Sequence, residues 1–464
     1  MFRLVTIAAS MAVAAAAAAQ SPLPEPTGRP FDIDFAADPV LRLRRDQADH
    51  ARFRDAVAGA VERHPGTAEA AATEDEALGL VREVRSLQRP TIDATVTSYR
   101  VLSREFSNDP TNIIERSRPV QRTDAILSVQ QTVFDFGATA RRAAAAGARL
   151  RAAGADLEAA ADQIALNAIA AWYDVFAYRA LVGLTEAFVA SQRELRAAVE
   201  IRIREGVSAE GDLARIDSYI AQALTRLARF RRLLANAEAR YTELIGSPPP
   251  ADLERAPAPA LPVRNRDEAA LAALDAAAVR SAQAVADAAR QEARAARADR
   301  LPQISAGVDA GRYGVFETER DYDIRGRVAM RWRLLGNADA RADQALARAR
   351  SADARADRIG EEAARDAAIA WSDVRALEQQ LEALEDAYIA SRRSRDVIAE
   401  RFRAARGTLF DVVAAEDAYF DAATAYIQAL TELDAARYVL LSRTGRLLEV
   451  LEIDADRLRG EGER

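Results

Sequence analysis

Two long stretches of the chain repeat apolar residues with the period of an α-helix. Residues 138–205 and 337–406 contain no proline, and their apolar side chains recur at helical spacing. At 1.5 Å per residue, each stretch predicts a helix of roughly 100 Å, which can be buried only against other helices. Gly206 and Gly407 interrupt the pattern before it resumes. The pattern therefore predicts two long helical hairpins whose tips lie at these glycines.

Four shorter segments alternate with a period of two, which is typical of β-strands. They lie near residues 90–101, 123–136, 302–312 and 322–335, and in the last of them apolar residues alternate mostly with arginines. About 9–11 residues of strand cross an outer membrane, with apolar side chains towards lipid and polar ones towards a lumen. The alternative interpretation is a soluble sheet with one solvated face.

The chain also contains an internal repeat with an offset of about 200 residues. The landmarks that recur at this offset are Trp172 and Trp371, Gly206 and Gly407, Asp212 and Asp411, Tyr241 and Tyr438, and Gly246 and Gly445. The repeat indicates two copies of one unit, each a strand pair followed by a long helical hairpin.

The repeat and the proline distribution divide the chain. Proline cannot continue a helix, so the proline-rich stretch between the two copies predicts a linker. The predicted segments are a signal peptide over 1–19, an irregular segment over 20–45, a first repeat over 46–246, a linker over 247–263, a second repeat over 264–450 and a charged, frayed tail over 451–464. For the signal peptide, the alternative is an N-terminal membrane anchor. Downstream of it no apolar run is long enough for a membrane helix, so any span must be built from strands.

Composition narrows the function. The chain has 464 residues, no cysteine, no lysine and two histidines, with 64 basic and 71 acidic residues. The lack of cysteine excludes disulfides, thiolate zinc sites and cysteine nucleophiles, and the two isolated histidines do not form a site. A net charge of −7 argues against a general nucleic-acid binder. We find no catalytic motif and therefore expect no enzyme activity, no cofactor and no metal.

One chain offers four strands, and an open sheet edge is not tolerated in lipid. Several copies must therefore share one barrel if the strands cross a membrane. Because eight strands enclose little more than their own side chains, geometry favours three or more copies.

The duplicated plan over residues 48–450 resembles the TolC-type outer-membrane efflux and secretion channels. The most specific element is the segment Gly407-Thr-Leu-Phe-Asp-Val-Val-Ala-Ala-Glu-Asp-Ala-Tyr419. The resemblance implies a mainly α fold with a membrane β-barrel portion: a homotrimer with a shared twelve-stranded barrel and an α-helical periplasmic tunnel. It places the linker in an equatorial collar. The implied partners are a periplasmic adaptor (membrane fusion) protein, an inner-membrane RND pump or ABC transporter, and outer-membrane lipid, with no nucleic acid.

The resemblance also implies a constriction at the periplasmic mouth. Asp411 matches the first aspartate of this mouth, but Ala414 stands where some members have a second one. We expect Glu416 or Asp417 to take part instead, with Asp212 at the corresponding place in the first hairpin. From the residues alone, Asp411 is also the acidic member of a capping box at a helix start.

Three further sets of residues complete these expectations. Ser208 and Thr408 are expected to cap the return helices. The tip residues that resemble adaptor contacts are Gly206, Val207, Ser208, Gly407, Thr408 and Leu409. The residues expected to line the barrel lumen are Arg325, Arg327, Arg331 and Arg333.

The sequence thus favours a trimeric exit duct in the Gram-negative outer membrane, with a large periplasmic portion. The duct would export substrates passively for a tripartite efflux pump or a type I secretion system. A soluble periplasmic coiled-coil adaptor or scaffold is the alternative, and it would lack a lipid-facing band.

Overall fold

A computed structural model describes residues 23–459 except 107–110, 112, 319–320, 335 and 405. The predicted signal peptide lies outside the described residues. In the first half of the chain, the helices are α1 Pro39–Arg42, α2 His50–Arg63, α3 Pro65–Ser86, α4 Ile113–Arg116, α5 Ala138–Arg204 and α6 Glu210–Ile245. In the second half, they are α7 Arg266–Ala272, α8 Ala277–Ala298, α9 Ala338–Arg403, α10 Leu409–Arg443, α11 Leu447–Val450 and α12 Ala455–Leu458. The strands are β1 Thr91–Arg100, β2 Gln121–Phe134, β3 Gln303–Arg312 and β4 Tyr322–Arg331.

The long helices follow the sequence pattern closely. Helix α5 has 67 residues and α9 has 66, and both run without a break between a strand and a hairpin tip. Their many alanines are good helix formers and allow neighbouring helices to approach closely. The return helices α6 and α10 are about half as long.

The chain divides into two compact units. The first, here called the hairpin unit, comprises the residues up to Ala60, Ala165–Pro262 and Ala370–Leu441. The second, here called the strand unit, comprises Val61–Ile164, Val263–Ile369 and the residues from Ser442 onward.

In the hairpin unit, the linker over 247–263 is held by side chains of the long helices. Trp172 Nε1 donates to the carbonyl of Glu254 at 2.9 Å, and the Tyr438 hydroxyl donates to the carbonyl of Pro257 at 2.7 Å. Both rings are buried. A proline-rich segment cannot satisfy its own carbonyls in a helix, so these donors fix its path.

In the strand unit, a four-stranded antiparallel sheet has the order β1-β2-β3-β4. Helix α8 buries a row of small residues in the same unit, with Ala284, Ala288 and Ala295 nearly inaccessible to solvent. An irregularity between Thr132 and Phe134 shifts the register of β2 against β3.

Two terminal segments are more ordered than expected. Asp34 and Asp38 cap a 3₁₀ turn and α1 within the segment that was expected to be irregular. A proline after an aspartate cap favours such a single turn because its fixed φ suits the first helical position. Residues 451–459 are not frayed, because Leu451, Ile453 and Leu458 are buried in the strand unit.

Candidate functional site

One face of the sheet is apolar across all four strands. Ile92 pairs with Val129, and Val129 pairs with Val308, so that apolar positions align from strand to strand. On β4 the side chains of this face are exposed, with Val328 77% and Met330 68% accessible, whereas Val129 and Ala306 on the central strands are partly exposed. The face consists of Ile92, Ala94, Val96, Ala125, Leu127, Val129, Ile304, Ala306, Val308, Ala310, Ile324, Val328 and Met330. A continuous exposed apolar surface of this kind marks contact with lipid or protein.

The opposite face of the sheet is polar and charged. Arg325 lies directly across from Asp309 and pairs with Asp323 on its own strand. Arg327 and Arg331 share this face because side chains alternate along β4. The two faces therefore have the chemistry of a wall between an apolar and an aqueous phase.

The fourth predicted lumen arginine lies elsewhere. Strand β4 ends at Arg331, whereas the sequence pattern extended it to residue 335. Arg333 follows the strand and is not part of the alternation that orders the other three arginines, although its side chain is exposed.

Both edges of the sheet are open. Strands β1 and β4 each pair on one side only within the described residues. Unpaired backbone groups at a sheet edge form a template for another strand, and a membrane tolerates none.

The first hairpin tip reverses the chain at Gly206, where φ is +74°. The amide of Val207 donates to the carbonyl of Arg202 at 2.8 Å and closes the last turn of α5. Ser208 does not cap α6: the N-cap residue is Ala209, without a side-chain hydrogen bond. The helix begins at Glu210, two residues after the serine, so the Ser208 hydroxyl is out of place for the cap. Asp212 lies in the first turn and is partly exposed.

The second tip has the capping box that the sequence predicted. The amide of Asp411 donates to the Thr408 hydroxyl at 3.2 Å. In return, the Asp411 carboxylate accepts from the Thr408 hydroxyl at 2.7 Å and from its amide at 3.3 Å. These hydrogen bonds stabilise the charged form and lower the pKa of Asp411. Asp411 is exposed, so it both caps α10 and presents a negative charge at the tip.

The two tips pack on each other through one apolar cluster. Arg202 of the first hairpin donates to the carbonyl of Phe402 at 2.8 Å, and its guanidinium lies 4.3 Å from the centre of that ring. The buried members of the cluster are Val199, Ile216, Phe402, Leu409, Val412 and Val413.

This packing decides which tip residues face outward. Leu409, predicted to contact an adaptor, is 5% accessible because it fills the cluster between the hairpins. Its neighbour Phe410 is 59% exposed, and Val207 of the first tip is 53% exposed. Phe410 is therefore an exposed tip residue that was not among the predicted adaptor contacts. Leu409 and Phe410 are adjacent apolar residues at the start of a helix. The sequence does not indicate which of them is buried, because this depends on how the first hairpin packs.

Glu416 does not belong to an exposed constriction. It is 3% accessible within the protomer, and its carboxylate lies 3.9 Å from the Arg395 guanidinium. Burial raises the pKa of Glu416 to about 7, although Arg395 opposes this, while the neighbouring charges of Asp396 and Asp417 raise it further. A carboxylate enclosed within one protomer cannot line a mouth, so we withdraw Glu416 from that role.

Asp417, the alternative to Glu416, is half-buried and already paired. Its carboxylate accepts from Arg226 at 3.2 Å. Burial raises the pKa of Asp417, and the Arg226 charge opposes the rise. Of the residues predicted for the mouth, Asp411 has an exposed carboxylate and Asp212 a partly exposed one.

Two negative findings concern the described residues only. No group of three or more His, Asp or Glu side chains among them is arranged to hold a metal ion. Within the same residues no single helix has the length and apolar composition of a membrane span, and only the bent pair Arg266–Asp275 and Ala277–Ala298, at 47°, meets that description jointly.

Comparisons with known proteins agree with this arrangement. Residues 57–247 match the family model described as outer membrane efflux protein. The chain is 23% identical to the outer membrane efflux protein BepC of Brucella suis biovar 1 (strain 1330) over 333 residues. This alignment covers 70% of this chain and 73% of BepC.

Solved structures share the fold along most of the chain. The outer membrane protein VceC from Vibrio cholerae matches with a TM-score of 0.75 at 19% identity, over 85% of this chain and 96% of VceC. The open state of the Neisseria gonorrhoeae MtrE outer membrane channel matches with a TM-score of 0.72 at 20% identity, over 85% and 89%. Residues 57–247 therefore match the outer membrane efflux protein family model, and most of the chain shares its fold with these solved outer-membrane proteins.

Proposed function

We propose that three copies of this chain form an exit duct that passes substrates across the periplasm and the outer membrane. The observation that carries the proposal is the sheet, which has one exposed apolar face, one charged face and two open edges. The duct itself performs no chemistry; it serves an energised inner-membrane RND pump or ABC transporter through a periplasmic adaptor, in a tripartite efflux pump or a type I secretion system.

The trimer follows from strand number. Pairing β4 of one copy with β1 of the next removes every open edge once the ring closes. Two copies would give eight strands, which leave little room inside, whereas three copies of the four-stranded sheet would give twelve and enclose a channel.

The hairpin tips provide the two remaining parts of the duct. Gly206, Val207, Ser208, Gly407 and Thr408, together with the exposed ring of Phe410, form a surface that we assign to the adaptor. Three copies each of Asp411 and Asp212 would place a ring of carboxylates at the periplasmic mouth, and such rings attract cations.

The lipid-facing assignment is tested by a pair of neighbouring substitutions. Val328→Arg puts a charge on the apolar face, and Ala329→Arg puts the same charge on the polar face. Arginine on the lipid side of a barrel costs about 2–4 kcal/mol at mid-membrane and little on the lumen side. We expect Val328→Arg to reduce the amount of heat-modifiable trimer in the outer-membrane fraction severalfold, whereas Ala329→Arg leaves it near the wild-type amount.

The same experiment separates the duct from a soluble periplasmic adaptor or scaffold. A wild-type chain found only as a soluble monomer in the periplasm contradicts the duct. Equal loss of trimer in both variants contradicts the assignment of the apolar face.

The adaptor surface is tested separately. Val207→Asp and Phe410→Asp each replace an exposed apolar side chain, so folding should not depend on them. We expect each to reduce recovery of a co-purified adaptor protein at least tenfold while trimer yield stays constant. Leu274→Asp, at an exposed position in the strand unit, is the matched control; loss of adaptor in that variant would contradict a tip-specific contact.

A further inference from the structure

The segment over residues 23–45, here called the strap, lies along the last five turns of α9. Near the tip, Arg403 donates to the carbonyl of Pro26 at 3.0 Å. Further from the tip, Arg44 donates to Glu385 at 2.7 Å. From Pro26 to Arg44, residue numbers rise along the strap as they fall along α9, so this part of the strap runs antiparallel to the helix within the hairpin unit.

The first anchor of the strap is the buried carboxylate of Asp38. It accepts hydrogen bonds from the Tyr388 hydroxyl at 2.9 Å and pairs with Arg392, both on α9. The Tyr388 hydroxyl also lies 3.0 Å from the hydroxyl of Tyr419 on α10. Asp38 is 2% accessible, and charged hydrogen bonds at buried sites are among the stronger ones. The strap, α9 and α10 are therefore joined at one point.

The second anchor is Arg395, which is also buried. Its guanidinium donates to the carbonyl of Pro24 at 2.9 Å, pairs with Asp396 at 2.6 Å and lies 4.4 Å from the centre of the Tyr419 ring. Glu416 of α10 lies 3.9 Å away. One side chain of α9 thus holds both the strap and α10.

The second anchor is incompletely satisfied. Asp396 Oδ2 and Glu416 Oε2 are buried without a hydrogen-bond partner, whereas Arg395 Nη2 lies 2.6 Å from Asp396 Oδ1. Each such atom costs free energy, and a partly satisfied polar network is poised to rearrange when a neighbouring contact is lost. The strap supplies the Pro24 carbonyl to Arg395, so detachment of the strap leaves the Arg395 guanidinium with one hydrogen bond fewer.

We propose that the strap is a latch that holds the tip-ward half of α9 against α10, and that the second hairpin changes conformation only after the strap releases Tyr388, Arg392 and Arg395 of α9. Attachment of the strap does not depend on the proposed channel function. Its consequence for conductance does rest on that function.

Attachment is tested first, by hydrogen exchange on the full-length protein in detergent. Asp38→Asn retains a capping residue for α1 but removes the charge that pairs with Arg392. We expect amide exchange in residues 23–45 to become at least tenfold faster. Asp32→Asn makes the same change at an exposed strap position and should leave exchange unchanged. Tyr388→Phe, which removes only a hydroxyl, should act in the same direction as Asp38→Asn.

The consequence is tested in planar bilayers. We expect the open fraction of the Asp38→Asn channel to rise at least threefold over that of Asp32→Asn. Because the chain has no cysteine, Gly28→Cys with Glu400→Cys gives a unique pair for a short thiol cross-linker; a Cβ at position 28 would lie 3.9 Å from Glu400 Oε2. Cross-linking through this pair should return the Asp38→Asn channel to the control level, and a cleavable linker should restore its opening when cut.

The outcomes separate the latch from the proposed function. A strap that exchanges freely in the wild type, or that stays protected in both Asp38→Asn and Tyr388→Phe, overturns the latch. So does a freed strap with an unchanged open fraction. A wild-type protein that forms trimers but conducts no ions contradicts the channel, while hydrogen exchange still reports whether the strap is attached.

Discussion

Asp411, Glu416 and Asp417 lie within seven residues of α10, yet their surroundings give them different chemistry. Asp411 is exposed and accepts hydrogen bonds at a helix start, which lowers its pKa. Glu416 is enclosed, and burial raises its pKa to about 7. Desolvation disfavours a charged carboxylate, whereas hydrogen bonds from an N-terminal turn favour it. All three are acidic residues of one helix, so the differences in their pKa values come from their surroundings.

Glu416 should give the protein a measurable pH dependence. Its pKa rises from an ordinary 4.5 to about 7 on folding, so its stabilising contribution is present below pH 4.5 and is lost as the pH rises through 7. The pKa shift corresponds to at most a few kcal/mol of unfolding free energy, about 1.4 kcal/mol for each unit of pKa. We expect the thermal unfolding midpoint of the wild type to decrease as the pH is raised from 5.5 to 8. The midpoint of Glu416→Gln should decrease less over the same range.

Glu432→Gln is the matched control, since Glu432 is an exposed glutamate on the same helix. It should follow the wild-type pH profile. If Glu416→Gln shows the same pH slope as the control, Glu416 does not titrate in this range.

The capping box permits a second residue-scale prediction. Thr408→Ala removes the hydroxyl that accepts from the Asp411 amide, and loss of a threonine cap costs about 1 kcal/mol. Ser208→Ala should cost much less, because Ser208 makes no cap to α6. Thermal midpoints of the two variants measure the difference, and an equal loss would contradict the assignment of the caps.

These residues also show how far a sequence can be interpreted. The Thr408–Asp411 box could be predicted because both members lie within one turn. The burial of Glu416 could not, because its neighbour Arg395 lies on α9, on the other side of the hairpin tip. The same holds for Leu409 and Phe410, whose exposure is set by the first hairpin.

At the scale of elements, the two repeats share a plan but use their equivalent residues differently. Trp172 is 1% accessible, donates to the linker carbonyl of Glu254 and packs edge-on against Phe53 with ring centres 5.3 Å apart. Trp371, its counterpart in the second repeat, is only partly buried. The first-repeat tryptophan is buried and bonded to the linker, whereas its second-repeat counterpart is partly exposed, and this difference breaks the internal symmetry.

The asymmetry predicts unequal effects of matched substitutions. Trp172→Ala removes a fully buried ring and a hydrogen bond, and such changes cost about 3–5 kcal/mol. Trp371→Ala should cost clearly less because part of that ring remains in solvent. We expect the thermal midpoint to fall several degrees further for Trp172→Ala, and a larger fall for Trp371→Ala would contradict the proposed role of the linker.

The order of elements was largely predictable, whereas the chain ends were not. The periods of 3.6 and 2 identified both long helices and all four strands, because each pattern is regular over ten residues or more. The segment 20–45 and the tail from 451 have no such period. Their packing rests on single residues, such as Asp38 and Leu458, that find partners on distant helices.

For the whole molecule, the proposed trimer would carry charges of opposite sign on its two units. Arg325, Arg327 and Arg331 share the polar face of β4, while Asp411 is exposed at the second tip. Three copies of each set would give a basic barrel lumen and an acidic periplasmic mouth. Rings of charge select ions by sign when the pore is narrow relative to the screening length.

This arrangement predicts how ion selectivity responds to charge removal. Replacing Arg327 and Arg331 with alanine should shift the chloride-to-potassium permeability ratio towards potassium by roughly twofold at low salt, where the charges are least screened. In 1 M salt the Debye length is only about 3 Å, so the shift should nearly vanish.

Arg333→Ala is the matched control, because Arg333 lies beyond the end of β4, and it should change the ratio less. Since Asp411 is exposed and retains its charge at neutral pH, Asp411→Asn should move the ratio in the opposite direction. A double variant that leaves selectivity unchanged at low salt would mean that the charged face of the sheet does not line the conducting path.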